Sequence, residues 1–296
     1  MSKLYNAKLI CFGLLVTLLS SLLLLSCGAT KVAEANNDEA LTRTQAGDEE
    51  GGQTLVALRE RGALKVGLST FHPWAMQDAK GQWIGFEVNV AKKLTEDLGL
   101  KLELVPTAWA GIIPALLTGK FDIIIGGMSV TPKRAEQVTF SIPYEYNKTV
   151  LLLDRNIQVS SMEELNNPKY RFVGRAGSTP YNLTQELFPQ AQTKAFDDEG
   201  LSLQDLLNGQ ADGFMTTSVE ASIHIEEHAS VIYVPKWARE VKKEDAAFAM
   251  PKDAEQAWVD YINQWIQEHW DNGFLEEQSR YWFETRDWVK DHELAQ

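Results

Sequence analysis

The chain has almost no cysteine, and this scarcity removes several kinds of chemistry. Only two of its 296 residues are cysteines, Cys11 and Cys27, and both lie near the amino terminus. The rest of the chain can therefore form no disulfide, no thiolate metal site and no cysteine nucleophile. Its stability has to come from a hydrophobic core, which a chain of this length can supply.

Positive charge is also in short supply. The chain has 28 lysines and arginines against 41 aspartates and glutamates, which gives a formal net charge of −13. Proteins that bind nucleic acid carry basic surfaces, so this balance predicts no nucleic-acid partner. It does not exclude an anionic ligand, because a local arginine can make a positive site inside an acidic protein.

Motifs for several chemistries are absent as well. The sequence has no phosphate-binding loop and no nucleophile triad, and we expect no cofactor. His224 and His228 stand at i and i+4 of a predicted helix, a spacing that suits a metal ion. Glu226 and Glu227 lie between them and favour a solvated helix face, so no metal site is predicted.

The amino-terminal apolar run, Leu9 to Leu25, is short of the ~20 residues that a transmembrane helix needs. Two lysines precede it, and Leu24-Leu25-Ser26-Cys27 resembles the lipobox of bacterial lipoprotein signal peptides. The alternative is an uncleaved transmembrane anchor. The lipobox resemblance implies a signal peptide over residues 1–26, a lipid on Cys27 and an extracytoplasmic location, in the periplasm or at the outer face of the cell membrane.

The organisation of the rest follows from its hydrophobic patterning. The stretch after Cys27, up to about Gln53, is polar and mostly acidic, which predicts a disordered tether. From Leu55 onward, strand and helix patterns alternate in two sets, one before and one after Tyr146. Two sets of βα units predict an α/β fold with two lobes.

The carboxyl-terminal part is rich in tryptophan and begins a predicted helix at Asp253. Its large apolar residues recur at helical spacing on one face: Trp258, Tyr261, Ile262, Trp265 and Ile266. Aromatic platforms can bind carbohydrate, but this spacing is typical of a helix that packs against a core. We therefore interpret these tryptophans as structural.

The most informative segment is Gly119 to Tyr144. Phe121 to Ile125 is predicted to be a buried strand, which is followed by a Gly-Gly-Met-Ser loop and a short helix that carries Arg134 in its first turn. Ligands of open α/β sheets bind at the carboxyl ends of strands. A glycine backbone, a hydroxyl, a helix N-terminus and an arginine all favour an anion there. The segment therefore predicts a site for a small carboxylate.

Three ordered blocks carry a family resemblance: Gly85–Ala91, Phe121–Arg134 and Phe140–Tyr144. They resemble the polar-amino-acid class (family 3) of bacterial extracellular solute-binding proteins of ABC importers, with Asn89 in place of one acid. The resemblance covers nearly the whole folded chain. It implies a type II periplasmic-binding-protein fold, in which two α/β lobes joined by two hinge crossings close over a ligand held in the interlobe cleft.

The resemblance also implies boundaries and partners. Lobe 1 would span residues 54–147 and 245–296, and lobe 2 would span residues 148–244, with crossings near Lys148 and near Val241 to Phe248. The expected partners are a small carboxylate ligand and an ABC permease of the inner or cytoplasmic membrane. The protein is expected to be a monomer and to take part in amino-acid transport.

Five residues match the family's donors to the ligand carboxylate. Arg134 matches the arginine that grips the α-carboxylate, and its planar fork suits that group. Ser129 and the amide of Gly127 match neighbouring donors. Ser178 and Thr179, at the start of a predicted helix in lobe 2, match a loop that adds further donors.

The residues around the rest of the ligand depart from the family in two places. Trp109 and Phe71 match an aromatic floor and roof, but Thr217 stands where an acid usually binds the ammonium group. Arg175 stands where uncharged residues are common; it either lines the site, or points to solvent or pairs with a nearby acid. Two arginines without an obvious acid predict an acidic or polar ligand rather than arginine or histidine. Glu220 could replace the missing ammonium partner.

A second interpretation is an enzyme on the same fold. The segment Val219-Glu220-Ala221 resembles the part of cyclohexadienyl dehydratases that carries their general acid, and Lys148 could match an active-site lysine. A glutamate buried by lobe closure would have the raised pKa that proton donation requires. The favoured interpretation remains a binding protein and not an enzyme.

Overall fold

The structure is a computed structural model that describes residues 51–292. The predicted signal peptide, Cys27 and most of the predicted tether lie outside the described residues. The chain groups into two units, residues 1–52 and 53–296, and the fold below is that of the second unit. In the described part, no helix is long and apolar enough to cross a membrane.

Residues 51–61 are helical (α1), so the prediction of a disordered tether is wrong for residues 51–53. The reason is a contact distant in sequence. The amides of Gln53 and Thr54 donate to the Glu255 carboxylate at 3.1 and 2.8 Å. These bonds satisfy amide groups near the start of the helix that have no partner within it.

The first half of the main sheet is parallel. Strand β1 (Ala63–Leu68) pairs with β4 (Lys101–Pro106) and with β5 (Ile123–Ile124). The segments that connect them contain a hairpin and two helices: β2 (Met76–Gln77), β3 (Trp83–Ile84), α2 (Phe86–Leu98) and α3 (Ile112–Leu117). The short helix α4 (Pro132–Ala135) follows β5, as predicted from Thr131-Pro132.

Two long strands connect the halves of the sheet. Strand β6 (Val138–Asp154) pairs in antiparallel fashion with β11 (Lys242–Pro251), and the register is irregular between Ala246 and Ala249. β11 also pairs with β5, so the strand order up to this point is β4-β1-β5-β11-β6. The sequence predicts a strand only over Thr149 to Leu153, because the earlier residues of β6 lack a continuous apolar run.

The second half repeats the βα pattern. Its elements are β7 (Arg171–Arg175), α5 (Thr179–Leu187), β8 (Gln192–Phe196), α6 (Glu199–Leu207), β9 (Gly213–Thr217), α7 (Ser218–His228) and β10 (Ile232–Tyr233). Strand β7 is parallel to both β8 and β9, and the strand order continues beyond β6 as β9-β7-β8. The carboxyl ends of these strands therefore lie at the same edge.

The last described helices pack on the first half. Helix α8 (Gln256–Asp271) is followed by α9 (Phe274–Ser279), a π-helical turn (Arg280–Glu284) and α10 (Trp288–Asp291). Trp258, Ile262, Trp265 and Ile266 are buried in the same cluster as residues of β1 and α2. The structural role predicted for these tryptophans is confirmed. Separate apolar clusters lie between β6, β7 and β9 in the second half.

Candidate functional site

A small cavity lies between the two halves of the sheet, and polar residues from both halves face it. It encloses about 20 Å³, about the space that one water molecule needs. Its lining consists of Phe71, Trp109, Gly127, Ser129, Arg134, Asn147, Thr149, Arg175, Ser178, Thr179, Pro180, Glu199, Thr217 and Glu244. The structure brings together every ligand-binding residue predicted from the sequence except Glu220.

The loop after β5 is held by a buried tyrosine. Gly127 has a left-handed backbone (φ +63°), and its amide donates to the Tyr144 hydroxyl at 3.0 Å. That hydroxyl donates to Glu87 Oε1 at 2.5 Å. Burial raises the pKa of Glu87 to about 8, although the Tyr144 hydrogen bond opposes the shift. The prediction of a free Gly127 donor needs correction, since this amide is already bonded within the protein.

Two hydroxyls in the cavity hold a carboxylate oxygen. Ser129 Oγ and Thr179 Oγ1 donate to Glu244 Oε2 at 2.9 and 2.6 Å, and the two hydroxyls are 3.2 Å apart. Ser129 belongs to the first half of the sheet, Thr179 begins α5 in the second, and Glu244 lies on the crossing strand β11. The other Glu244 oxygen lies 2.9 Å from Lys242 Nζ. The hydroxyl pair therefore binds a carboxylate supplied by the protein itself.

Arg134 is buried beside this carboxylate. Its backbone amide is capped by Thr131 Oγ1 at 3.3 Å, which starts α4 and sets the direction of the side chain. Its guanidinium donates to the carbonyls of Ser129 at 2.8 Å and of Gly177 at 3.1 Å. Burial lowers the pKa of Arg134 to about 10, and Glu244 opposes that shift. The side chain is therefore still charged at neutral pH.

Two predicted donors act mainly as helix caps. Ser178 Oγ accepts the amide of Tyr181 at 3.2 Å, and Thr217 Oγ1 accepts the amide of Glu220 at 3.3 Å. Such caps satisfy amide groups that have no partner inside a helix. Each hydroxyl still has a proton to donate, so both residues can also donate a hydrogen bond to a group bound in the cavity that they line.

Arg175 lines the cavity and is buried, with 5% of its surface exposed. Its Cζ atom lies 4.6 Å from the centre of the Phe71 ring and 4.7 Å from the centre of the Trp109 ring. Nη1 donates to the Thr70 carbonyl at 3.2 Å, and Nε lies 3.4 Å from Glu199 Oε2. Of the alternatives left open by the sequence, the structure combines a place in the site with an acidic partner.

Behind Arg175, two buried carboxyls converge on one hydroxyl. Thr216 Oγ1 is 3.0 Å from Glu199 Oε1 and is also bonded to Glu220 Oε2. A hydroxyl has one proton to donate, so it can satisfy one ionised carboxylate and must accept from the other group. Burial raises the pKa of Glu199 to about 8 and that of Glu220 to about 7. For both bonds to Thr216 to form, one of the two carboxyls must be protonated, so the pair shares one proton between them.

Three further residues singled out in the sequence do not line the cavity. Glu220 does not line the cavity and lies behind Thr217, with His224 Nε2 3.3 Å from its Oε1. His224 is itself buried, so the expectation of a solvated helix face is wrong for this residue, whose pKa is lowered by burial. Lys148 lies outside the cavity and pairs with Glu240 at 3.1 Å, both half exposed.

The expectation of a site without an acid is also wrong. Glu199 and Glu244 both line the cavity, as do the uncharged residues Asn147, Thr149 and Pro180. Glu199 follows strand β8, so the rule that ligands bind at the ends of parallel strands could have identified it. Glu244 lies in the predicted hinge crossing, but only the antiparallel pairing of β11 shows that it reaches Ser129.

A cleft between two α/β halves, lined by groups that donate hydrogen bonds to a carboxylate, is the arrangement of a solute-binding protein. The chain belongs to the bacterial extracellular solute-binding proteins, family 3, whose pattern matches residues 64–285. The two-lobed fold is also that of solved relatives. The ancestral amino acid-binding protein AncCDT-1, a precursor of cyclohexadienyl dehydratase, aligns with a TM-score of 0.72 at 32% identity and covers 78% of this chain and 100% of its own.

Two other relatives differ in what their names report. A putative binding component of an ABC transporter from Wolinella succinogenes, solved with lysine, has a TM-score of 0.72 and 30% identity, covering 78% of this chain and 99% of its own. The cyclohexadienyl dehydratase of Pseudomonas aeruginosa is 27% identical over 242 residues, 80% of this chain and 88% of the enzyme. Family membership is therefore shown, while the choice between transport and catalysis depends on the site.

Proposed function

We propose that this protein is the solute-binding component of an ABC importer and captures a small carboxylate, a polar or acidic amino acid, by closure of its two lobes. The observation that carries the proposal is the pair of hydroxyls that hold the Glu244 carboxylate. They come from opposite halves of the sheet, 2.9 and 2.6 Å from the same oxygen. A ligand carboxylate in that place would bind both halves together and so favour the closed form.

Binding then proceeds by exchange of carboxylates. The α-carboxylate of the ligand takes the hydroxyls of Ser129 and Thr179 and lies beside Arg134, while Glu244 turns away from them. The displaced Glu244 carboxylate becomes the partner of the ligand's ammonium group, in place of the acid that Thr217 lacks. The exchange conserves charge in the cavity, because a zwitterion brings one positive and one negative group.

A calorimetric screen tests the proposal. The purified full-length protein is titrated with the standard amino acids, dicarboxylates and prephenate. A heat signal from at least one polar or acidic amino acid is expected, and Thr179→Val should weaken it by about tenfold through loss of a charge-assisted hydrogen bond. Thr118→Val, at an exposed helix end remote from the cavity, is the matched control and should leave the affinity unchanged. Silence from all amino acids would overturn the proposal.

The proposal extends to the cell surface. Cys27 carries the lipid that anchors the monomeric protein to a membrane, where it meets its permease. Cells that make the wild type should incorporate a labelled fatty acid into the protein and release residues 1–26, whereas Cys27→Ala should do neither. Cys11→Ala, inside the predicted signal peptide, is the control and should behave as the wild type. A wild type that carries no labelled fatty acid and keeps residues 1–26 would support the uncleaved transmembrane anchor.

Dehydration of prephenate is the second candidate function. It is favoured by the similarity to cyclohexadienyl dehydratase and by the raised pKa of Glu220, which suits a general acid. Against it, Glu220 lies behind the cavity wall and Lys148 is outside the cavity. Turnover of prephenate by the purified protein, abolished in Glu220→Gln, would establish the enzyme; calorimetric binding of an amino acid without turnover of prephenate would exclude it.

A further inference from the structure

The aromatic part of the cavity already contains a cation. The guanidinium of Arg175 lies over the Phe71 ring and over the Trp109 ring, at 4.6 and 4.7 Å from their centres. Aromatic rings attract a cation through the negative charge of their faces, and they do so best when water is excluded. The aromatic cation-binding place of the cavity is thus already occupied by a side chain of the protein.

A second cation in the same place would have no adequate charge partner. Arg134 lies over the same Trp109 ring at 5.5 Å and repels Arg175, which contributes to the lowered pKa of Arg134. The negative charge behind Arg175 is limited, because Glu199 and Glu220 share a proton through Thr216. Burial of an unpaired charge is costly, so a basic ligand side chain is disfavoured both by volume and by charge.

A hydrogen-bond acceptor on the ligand side chain, by contrast, would be bound favourably by Arg175. Arg175 has five N–H donors, and its contacts place Nη1 on the Thr70 carbonyl and Nε opposite Glu199. The guanidinium faces the cavity, so a carboxylate or amide oxygen on the ligand side chain can accept a hydrogen bond from it. Such a bond is charge-assisted and directional.

We propose that Arg175 determines the specificity of the cleft, because its guanidinium fills the cation-binding place formed by the Phe71 and Trp109 rings, here called the cation seat. The cleft then rejects arginine and lysine and selects amino acids with a side-chain oxygen acceptor, as in glutamate and glutamine. This inference rests on the proposed function, because it concerns the ligand of the same cleft.

Two substitutions separate the volume of Arg175 from its charge. Arg175→Ala opens the seat, whereas Arg175→Met fills it with an uncharged chain of similar length. Arg171→Ala is the matched control, because Arg171 lies at the other end of β7 and pairs with Asp212 at 2.8 Å, outside the cavity. Dissociation constants for L-glutamate, L-glutamine and L-arginine are measured by calorimetry for each protein.

The wild type should bind glutamate or glutamine at least about a hundredfold more tightly than arginine. Arg175→Ala should bind arginine at least about tenfold more tightly than the wild type does. It should bind glutamate or glutamine about tenfold more weakly. Arg175→Met should bind glutamate or glutamine more weakly without binding arginine more tightly, and Arg171→Ala should change neither affinity. A ratio of arginine to glutamine affinity that stays within about threefold of wild type in both Arg175 variants overturns the inference.

A probe of the seat alone separates this inference from the proposed function. Methylguanidinium at low millimolar concentration should raise the melting temperature of Arg175→Ala but not of the wild type, Arg175→Met or Arg171→Ala. This result does not require that any amino acid binds. If Arg175→Ala does not fold, the affinities of Arg175→Met decide. Failure of the wild type with every amino acid would refute the proposed function, whereas equal response of all four proteins to methylguanidinium would refute the seat.

Discussion

The two sides of the cleft hold their charges in different ways. On the side that follows β5, Arg134 donates to the Ser129 carbonyl of the same side and to the Gly177 carbonyl across the cleft, and the loop with Ser129 is tied to β11 through the amides of Val130 and Ala247. On the side that follows β7 and β8, Arg175 faces buried carboxyls that share one proton. Arg134 thus has two backbone acceptors, whereas Arg175 bonds one backbone carbonyl, that of Thr70, and lies beside a carboxyl whose charge depends on protonation. We therefore expect the first side to set affinity for any carboxylate and the second to set the choice among side chains.

The largest effect is expected at Arg134. Arg134→Ala should weaken every amino-acid ligand by a similar factor of about a hundredfold, because the α-carboxylate is common to all of them. Calorimetry with two ligands of different side chain measures this. Lys133→Ala, the exposed neighbour on the same short helix, is the control and should have no effect. If Arg134→Ala changed the ranking of ligands instead, the expectation that the first side sets affinity and the second side sets side-chain choice would be wrong.

The stability of the first side should depend on Tyr144. Its hydroxyl accepts the Gly127 amide and donates to Glu87, so Tyr144→Phe leaves a partly buried amide and a buried carboxyl without that partner. The free energy of unfolding should fall by about 2 kcal/mol, as urea denaturation would show. Tyr146→Phe is the control on the same strand, because the Tyr146 side chain is exposed. An equal and small effect of both substitutions would mean that Gly127 and Glu87 are not organised by this hydroxyl.

The second side should reveal its shared proton in the pH dependence of stability. The pKa of Glu220 rises from 4.5 to about 7 and that of Glu199 to about 8 on folding, so the folded chain keeps a proton that the unfolded chain has lost. The free energy of unfolding therefore falls as the pH rises from about 4.5 to about 8. Glu220→Gln removes one of the two carboxyls, and between pH 6.5 and 8.5 its stability should gain about 1–2 kcal/mol relative to wild type.

Denaturation curves at several pH values measure this difference. Glu227→Gln is the matched control, because Glu227 lies on the same helix with its side chain about half exposed. It should follow the wild-type pH dependence. Parallel pH profiles for the wild type and Glu220→Gln would contradict the shared proton.

The residues that could be predicted from the sequence share a local cause. Ser129 and Arg134 follow a buried strand within a few residues, and Thr179 and Thr217 begin helices directly after strands. Strand ends and helix starts are local properties of a sequence, and parallel pairing brings them to one edge. For these residues the patterns predict a common site, and the structure places them around one cavity.

The residues that could not be predicted depend on contacts distant in sequence. Glu244 reaches Ser129 only because β11 pairs with β6 and β5 with an irregular register near Ala246. The Gly127 amide meets Tyr144, seventeen residues later, through a side-chain rotamer that no local pattern specifies. Without Glu244, the charge that the sequence predicts for the site comes from its two arginines and from Glu220, which lies behind the cavity.

The smallest expected effect tests whether the first side is fixed by its backbone. Gly127 adopts φ +63°, where a side chain is strained, and an added Cβ would lie 3.4 Å from the Trp74 ring. Gly127→Ala should therefore lower the free energy of unfolding by about 1 kcal/mol. Gly111→Ala is the matched control, because Gly111 has φ −99° and no atom within 4 Å of an added Cβ. Ligand ranking should be unchanged in Gly127→Ala, because this strain acts on the loop that holds the carboxylate and not on Arg175. A change in ranking would show that the two sides of the cleft are coupled through this loop.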